Sequence, residues 1–170
     1  MSDRRIFQHT LLLLGGNQGD VIANGHWVAE RLKEEYTIIH ASSWFASPAW
    51  GFEGPDFLNR ILALDKVEDV EQLLMRCLSL ELELGRVRAS DGNYSDRPMD
   101  IDILYHGNEV YESEKLSVPH PKIQERRFTL VPLNEHWSDF VHPVFNKTQE
   151  ELLNECQDEA EVKLISVDEE

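Results

Sequence analysis

The predicted elements run strand, helix, strand, strand, helix, strand, followed by further helical segments. This order indicates an α/β (α+β) protein, a ferredoxin-like βαββαβ sandwich with added C-terminal helices. The chain has 170 residues, which is room for one domain, and 41% of them are apolar, a fraction that excludes disorder as the main state. We therefore expect a single domain over residues 1–170, with a core from about residue 8 to residue 158 and an acidic C-terminal tail.

Four segments have the apolar or β-branched composition of strands: Thr10–Leu14, Thr37–Phe45, Phe57–Val67 and Met99–Tyr105. A helix over residues 21–32, capped by Asp20, is expected between the first two. A helix over Asp69–Leu84, ended by Gly85, is expected between the last two. The prolines and glycines of residues 47–55 predict a loop before the third strand.

The C-terminal third predicts two more helices. A short helical stretch is expected over Phe128–Glu135, and Thr148 and Glu151 have the spacing of a capping box that opens a last helix. From Thr148 onward there are nine Asp and Glu residues against one basic residue, Lys163. This composition predicts a solvated helix face and tail.

The charge balance limits the partners that the chain can bind. Sixteen Lys and Arg residues against 32 Asp and Glu residues give a net charge of −16, which repels nucleic acids and anionic membranes. Cys77 and Cys156 form neither a disulfide framework nor a metal-ligand pair of the CxxC kind. The apolar run Leu11–Leu14 is too short for a signal peptide or a membrane span. We expect a soluble, cytoplasmic monomer whose partners are small molecules.

The most specific feature is a pair of carboxylates on the fourth strand, Asp100 and Asp102. Side chains alternate along a strand, so both carboxylates point to one side while Met99, Ile101 and Ile103 point into a core. Repulsion within the pair is relieved by protonation of one partner or by a cation, and two carboxylates beside a polar loop suit Mg²⁺ completed by phosphates and waters. An exposed edge strand whose aspartates pair with neighbouring arginines would show the same pattern.

Three arginines, Arg86, Arg88 and Arg97, bracket the polar loop that leads to this strand. Arginine forks match phosphate oxygens in pairs, which predicts phosphate near the metal; offsetting the charge of acidic neighbours is the alternative role. Neither GxxxxGK[ST] nor GxGxxG is present, so a P-loop kinase or a dinucleotide oxidoreductase would lack its phosphate cradle.

Phe57 and Asn59 lie two residues apart on the third strand and therefore face one side. A planar heterocycle could stack on the ring and hydrogen-bond to the amide, although a core phenylalanine beside a buried asparagine would look the same. His120, held between two prolines, is either a phosphate ligand or a loop histidine without a role.

Six blocks of the sequence, in the same order, resemble the 6-hydroxymethyl-7,8-dihydropterin pyrophosphokinases of folate biosynthesis. They are Leu14–Asp20, Ser47–Gly51, Phe57–Asn59, Glu81–Arg88, Arg97–Leu104, and Val118–Pro121 with Arg126–Phe128. The resemblance implies transfer of the β,γ-diphosphate of ATP to the hydroxymethyl group of the pterin, leaving AMP. The chain departs from the family at Tyr94-Ser95-Asp96-Arg97, where Trp-Gly-Pro-Arg or a similar sequence is usual.

The same resemblance implies roles for individual residues. A pair of Mg²⁺ ions would be held by Asp100 and Asp102, with Arg86 and Arg97 as the other catalytic residues. The pterin would be bound by Ser47, Trp50, Phe57, Asn59 and Phe128. ATP, the co-substrate, would be bound by Glu81, Arg88, Tyr94, Ile103, Lys115, Ser117, His120 and Arg126.

Two other function classes are compatible with parts of the sequence. A metal-dependent glycosyltransferase also uses an Asp-x-Asp pair, to hold a nucleotide sugar, but its usual size argues against it. A non-catalytic ferredoxin-like module could bind a small planar ligand, yet it would have no need for two aligned carboxylates beside three arginines.

Overall fold

The computed structural model describes residues 9–49, 52–85 and 98–167. Its strands and helices, in chain order, are β1 (Thr10–Gly16), α1 (Val21–Leu32), β2 (Thr37–Ala41), β3 (Trp44–Ser47), β4 (Phe57–Asp65), α2 (Val70–Glu83), β5 (Asp100–His106), β6 (Tyr111–Glu112), β7 (Ser117–Val118), α3 (Arg127–His136), α4 (Gln149–Glu155) and β8 (Lys163–Ile165). A 3-10 helix, Ile123–Glu125, precedes α3. Among the described residues, no helix is both long enough and apolar enough to cross a membrane.

The main sheet is antiparallel and runs in the order β5-β1-β4-β3-β8, with β2 also paired to β4. The first core strand is β1, the second is β2 and β3 counted together, the third is β4 and the fourth is β5. Across the sheet they lie in the order fourth, first, third, second. This is the strand order of the ferredoxin-like fold. The predicted fold class is confirmed.

The two faces of the sheet carry separate apolar cores. Leu12 and Leu14 of β1 pack with α1 and α2 in one core, whereas Leu11 and Leu13 pack with α3 and α4 in the other. This division follows from the alternation of side chains along a strand. The added C-terminal helices therefore turn the predicted two-layer sandwich into three layers, with the sheet in the middle.

The segment Thr37–Phe45, predicted as one strand, consists of two strands separated by Ser42 and Ser43. The backbone N–H of Ser42 donates to Ile61 O at 2.8 Å, and the Ser42 hydroxyl accepts from Ile61 N at 2.8 Å. The N–H of Ser43 donates to the Glu135 carboxylate at 2.7 Å. The strand is broken because side-chain oxygens replace the regular ladder at this point.

The predicted helix starts are confirmed. The Asp20 carboxylate accepts from Ala23 N at 3.1 Å at the start of α1, and the Asp69 carboxylate accepts from two backbone N–H groups at the start of α2. Thr148 and Glu151 form the complete capping box of α4. These contacts satisfy backbone N–H groups that have no partner inside the helix.

The C-terminal segment is not only a helix face and a solvated tail, as the sequence predicts. Lys163–Ile165 forms β8, which extends the sheet by pairing with β3. The β6–β7 hairpin is a second pairing that the sequence does not predict, with Tyr111 opposite Val118. Strands of two or three residues are too short to carry a recognisable alternation.

Candidate active site

A pocket partly open to solvent lies at the end of the sheet where Gly15 of β1 stands opposite Asp100 of β5. Its lining residues are Leu13, Gly15, Ser47, Pro48, Phe52, Phe57, Asn59, Asp100, Asp102, Arg126 and Phe128. The pocket thus brings together residues that the sequence predicts for the metal, for the pterin and for ATP. They come from β3, β4, β5 and the start of α3, which are distant in sequence.

Asp100 and Asp102 line the pocket from the same face of β5. Ile101 and Ile103 point to the opposite face, where they are 4% and 3% exposed in the core beneath α1 and α2. The predicted alternation is therefore confirmed. Within the ranges that the structure describes, no group of three or more His, Cys, Asp or Glu residues could hold a metal ion. Two carboxylates completed by ligand oxygens and waters are nevertheless a donor set that Mg²⁺ accepts.

The amide of Asn59 is fixed in orientation by its neighbours on both sides. Its Nδ2 donates to the Ser47 hydroxyl at 2.8 Å, and both side chains are 2% exposed. Its Oδ1 lies above Gly15 of β1, at 2.7 Å from the position that a Cβ would take there. The structure thus joins two predicted pterin residues in one hydrogen bond beside the carboxylate pair.

Aromatic rings enter the pocket from two different elements. Phe57 comes from β4 and Phe128 from the first turn of α3. The ring of Phe52 meets Phe57 edge to face, with 6.1 Å between the centroids. The guanidinium of Arg126 lies 5.5 Å from the ring centroid of Phe128, which adds positive charge to this wall.

Four lining residues are missing from the predicted site residues, namely Leu13, Gly15, Pro48 and Phe52. Asn17, also outside that set, donates from Nδ2 to Pro55 O at 3.1 Å, which ties the turn after β1 to the loop before β4. A glycine inside a strand is a signal of close approach by a neighbour and could have identified Gly15. The roles of Phe52 and Asn17 depend on how two loops meet, for which the sequence carries no local signal.

His120 lies in the segment after β7 and is hydrogen-bonded to β5. Its backbone N–H donates to Leu104 O at 2.8 Å, and its Nδ1 accepts from Lys122 N at 3.1 Å. Burial and, to a smaller extent, the positive charge of Arg126 lower the pKa of His120 to about 4, although Asp100 acts in the opposite direction. The imidazole is therefore neutral near pH 7, with Nε2–H as its remaining donor.

Five residues predicted for ATP do not line the pocket, namely His120, described above, and four others. Ile103 is buried in the core beneath α1 and α2, and Glu81 of α2 is 3% exposed with its carboxylate against the backbone of β5. Lys115 is exposed between β6 and β7, and Ser117 begins β7. Their contacts with ATP stay predictions.

Five further predicted residues, Trp50, Arg86, Arg88, Tyr94 and Arg97, lie outside the described residues. Their assigned roles in catalysis, pterin binding and ATP binding stay predictions as well.

Solved structures share the fold of this chain. An HPPK-DHPS crystallised in complex with substrates matches with a TM-score of 0.66 and 13% identity, over 86% of this chain and 42% of that chain. The wild-type HPPK-DHPS of Plasmodium falciparum matches with a TM-score of 0.64 and 16% identity, over 89% of this chain and 46% of that chain. This chain thus spans less than half the length of these solved chains, and the likeness concerns the fold alone.

Sequence comparisons reach further than the fold. Proteins named 2-amino-4-hydroxy-6-hydroxymethyldihydropteridine pyrophosphokinase are 34% identical in Synechocystis sp., over 84% of this chain and 73% of the relative, and 35% identical in Aquifex aeolicus, over 82% of this chain and 86% of the relative. A family model described as 7,8-dihydro-6-hydroxymethylpterin-pyrophosphokinase (HPPK) matches residues 11–138. The chain therefore belongs to the HPPK family.

Proposed function

We propose that the pocket between β1, β3, β4, β5 and the start of α3 is the active site of a pyrophosphokinase. Membership of the family gives the reaction, pyrophosphoryl transfer from ATP to 6-hydroxymethyl-7,8-dihydropterin in folate biosynthesis. One observation supports this location of the active site. The hydrogen-bonded pair Asn59 and Ser47 lines the same pocket as the aligned carboxylates of Asp100 and Asp102.

In this proposal the pterin occupies the part of the pocket lined by Phe57, Asn59 and Phe128. A flat ring gains from stacking on aromatic side chains, and the Asn59 amide offers both a donor and an acceptor to the polar edge of the ring. Because Asn59 and Ser47 are already hydrogen-bonded, the amide does not have to be ordered when the ligand binds. Trp50 would add contacts from the loop after β3.

Asp100 and Asp102 would hold Mg²⁺, and the sequence resemblance suggests a pair of ions. When bound, the metal neutralises charge on the triphosphate and orients it. The two aspartates suit this role because they point into the pocket together and leave the remaining coordination positions to phosphate oxygens and waters. ATP would therefore bind beside the pterin, at the β5 wall of the pocket.

The reaction forms a bond between the hydroxymethyl oxygen and the β-phosphorus of ATP and breaks the bond from that phosphorus to the oxygen bridging the α-phosphate. AMP leaves, and the hydroxyl proton is released. Such a transfer depends on positioning and on charge neutralisation more than on a strong base. Arg126, neutral His120 through Nε2–H, and the arginines Arg86, Arg88 and Arg97 are proposed to bind the phosphates.

The decisive test is the product balance. The purified chain is incubated with ATP, MgCl₂ and reduced 6-hydroxymethylpterin, and AMP and the pterin diphosphate are quantified by mass spectrometry. We expect the two products in equal amounts, and neither when EDTA is added or the pterin is left out. ADP as the product would contradict diphosphate transfer, and binding of the pterin without any AMP would indicate a non-catalytic module.

The expected monomeric state is part of the same proposal. Analytical ultracentrifugation with and without ATP would test it, because a concentration-dependent dimer would contradict the expectation.

A further inference from the structure

We infer that Glu81 is a positioning residue: through the backbone N–H of Ile101, its carboxylate fixes the stretch of β5 that presents Asp100 and Asp102. The inference rests on the proposed function of these two aspartates as metal ligands. It gives Glu81 a role on the face of β5 opposite the pocket, in place of a contact with the nucleoside.

The contact lies at the midpoint of the aspartate pair. Glu81 belongs to the last turns of α2, is 3% exposed, and accepts a hydrogen bond from Ile101 N through Oε2 at 2.8 Å. Ile101 is the one residue between Asp100 and Asp102. A shift of its backbone therefore moves both carboxylates.

The hydrogen bond between Glu81 and Ile101 also takes the place of a hydrogen bond that a neighbouring strand would make. Within the described residues, β5 is the edge of the main sheet and its one partner strand in that sheet is β1. The N–H of Ile101 is satisfied by Glu81, and the carbonyl oxygen of Leu104 by the backbone N–H of His120 at 2.8 Å. The outer side of β5 is thus held at two points, one of them directly behind the aspartates.

A side-chain oxygen at position 81, charged or neutral, can accept from Ile101 N, so it is the hydrogen bond that ties β5 to α2. Because both residues are buried, little water competes for this N–H group, and the bond holds the strand firmly. This firmness matters because Asp100 and Asp102 carry like charges, which repel each other. A strand free to twist at Ile101 would let the two carboxylates move apart.

The test compares three variants. Glu81→Gln keeps an oxygen that can accept from Ile101 N, whereas Glu81→Leu removes the acceptor. Glu83→Leu is the matched control, because Glu83 lies on the same helix and is exposed. For each protein we would measure amide hydrogen exchange at Ile101, the Mn²⁺ affinity in the presence of a non-hydrolysable ATP analogue by electron paramagnetic resonance, and the pterin affinity by calorimetry.

We expect Glu81→Leu to weaken Mn²⁺ binding about tenfold and to speed exchange at Ile101 by a similar factor, the effect of one lost buried hydrogen bond. Pterin affinity should stay within about threefold of wild type, and Glu81→Gln and Glu83→Leu should stay within about threefold in all measurements. If Glu81→Leu does not fold, Glu81→Ala takes its place, because water can then reach the N–H of Ile101.

Wild-type Mn²⁺ affinity in the folded leucine or alanine variant would overturn the inference. Equal losses in Glu81→Gln and Glu81→Leu would also overturn it, because they would assign the effect to the charge of Glu81 and not to its hydrogen bond. None of these three measurements requires turnover. Suppose that the wild type binds Mn²⁺ and the variants differ in Mn²⁺ affinity as expected, but no AMP is formed. The proposed function then fails, and the positioning role of Glu81 stands.

Discussion

The side-chain oxygen of Asn59 lies 2.7 Å from the point where a Cβ on Gly15 would stand. The two residues are cross-strand partners of β4 and β1, and the amide cannot rotate away freely because its Nδ2 donates to the Ser47 hydroxyl. Because glycine has no side chain, position 15 leaves room for the Asn59 amide and determines how this amide is oriented in the pocket.

Gly15→Ala should weaken pterin binding by about tenfold, because Asn59 must turn and lose a buried hydrogen bond worth ~1–2 kcal/mol. Calorimetry with the pterin and with ATP measures the effect, and ATP affinity should change little. In a double-mutant cycle, Gly15→Ala should reduce the pterin affinity much less in the Asn59→Ala variant than in the wild type. Full additivity of the two substitutions would show that Gly15 does not act through Asn59.

Asp100→Asn and Asp102→Asn should each lower kcat on the order of 10²-fold or more, because each removes charge that the metal needs. Thermal stability should be unchanged or slightly higher, since the substitution relieves repulsion within the pair. Asp65→Asn is the control, because Asp65 stands opposite Thr37, at the end of β4 away from the pocket. Near-normal turnover in both pocket variants would rule out the metal assignment.

Phe57→Ala and Phe128→Ala should each weaken pterin binding by ~1–3 kcal/mol, the magnitude of stacking a base on an aromatic side chain. ATP affinity should be nearly unchanged in Phe57→Ala, which leaves the phosphate-binding groups in place. Phe145→Ala serves as the control, since this ring is 43% exposed and outside the pocket lining. Unchanged calorimetric affinity for the pterin would mean that the two rings only complete the core.

Local chemistry accounts for the part of the fold that the sequence predicts. Helix starts depend on one capping side chain, such as Asp20 or Thr148, and the direction of Asp100 and Asp102 depends only on alternation along a strand. The break at Ser42 is different, because it depends on hydrogen bonds to Ile61, nineteen residues away in the chain. Such contacts are set by strand register, which a single sequence does not display.

The candidate site shows the same division. Seven of the eleven residues that line the pocket are found by resemblance and by residue type, whereas their mutual contacts, such as Asn59 with Ser47, depend on the register of β3 against β4. Glu81 is the clearest case. A glutamate near the end of a helix normally faces water, and only the packing of α2 against β5 places this one under Ile101.

His120 is poised to respond to a neighbouring negative charge. Burial and the charge of Arg126 lower its pKa to about 4, and its Nδ1 already accepts from Lys122 N, so protonation at that atom breaks a hydrogen bond. In the unfolded chain the pKa of histidine is about 6.5. Between these two values the unfolded state binds more protons than the folded state, so His120 lowers the stability as the pH falls through this window.

A bound triphosphate beside Nε2 should raise the pKa of His120, because its negative charge favours the imidazolium form. At about pH 5, between the folded and the unfolded value, wild-type protein should then take up more protons on binding ATP than His120→Asn does. Calorimetry in two buffers of different ionisation enthalpy measures this uptake, and subtracting the variant removes the contribution of the nucleotide's own phosphates. Equal proton uptake by the two proteins would place the phosphates away from His120, and the proposed role of this residue in ATP binding would then be wrong.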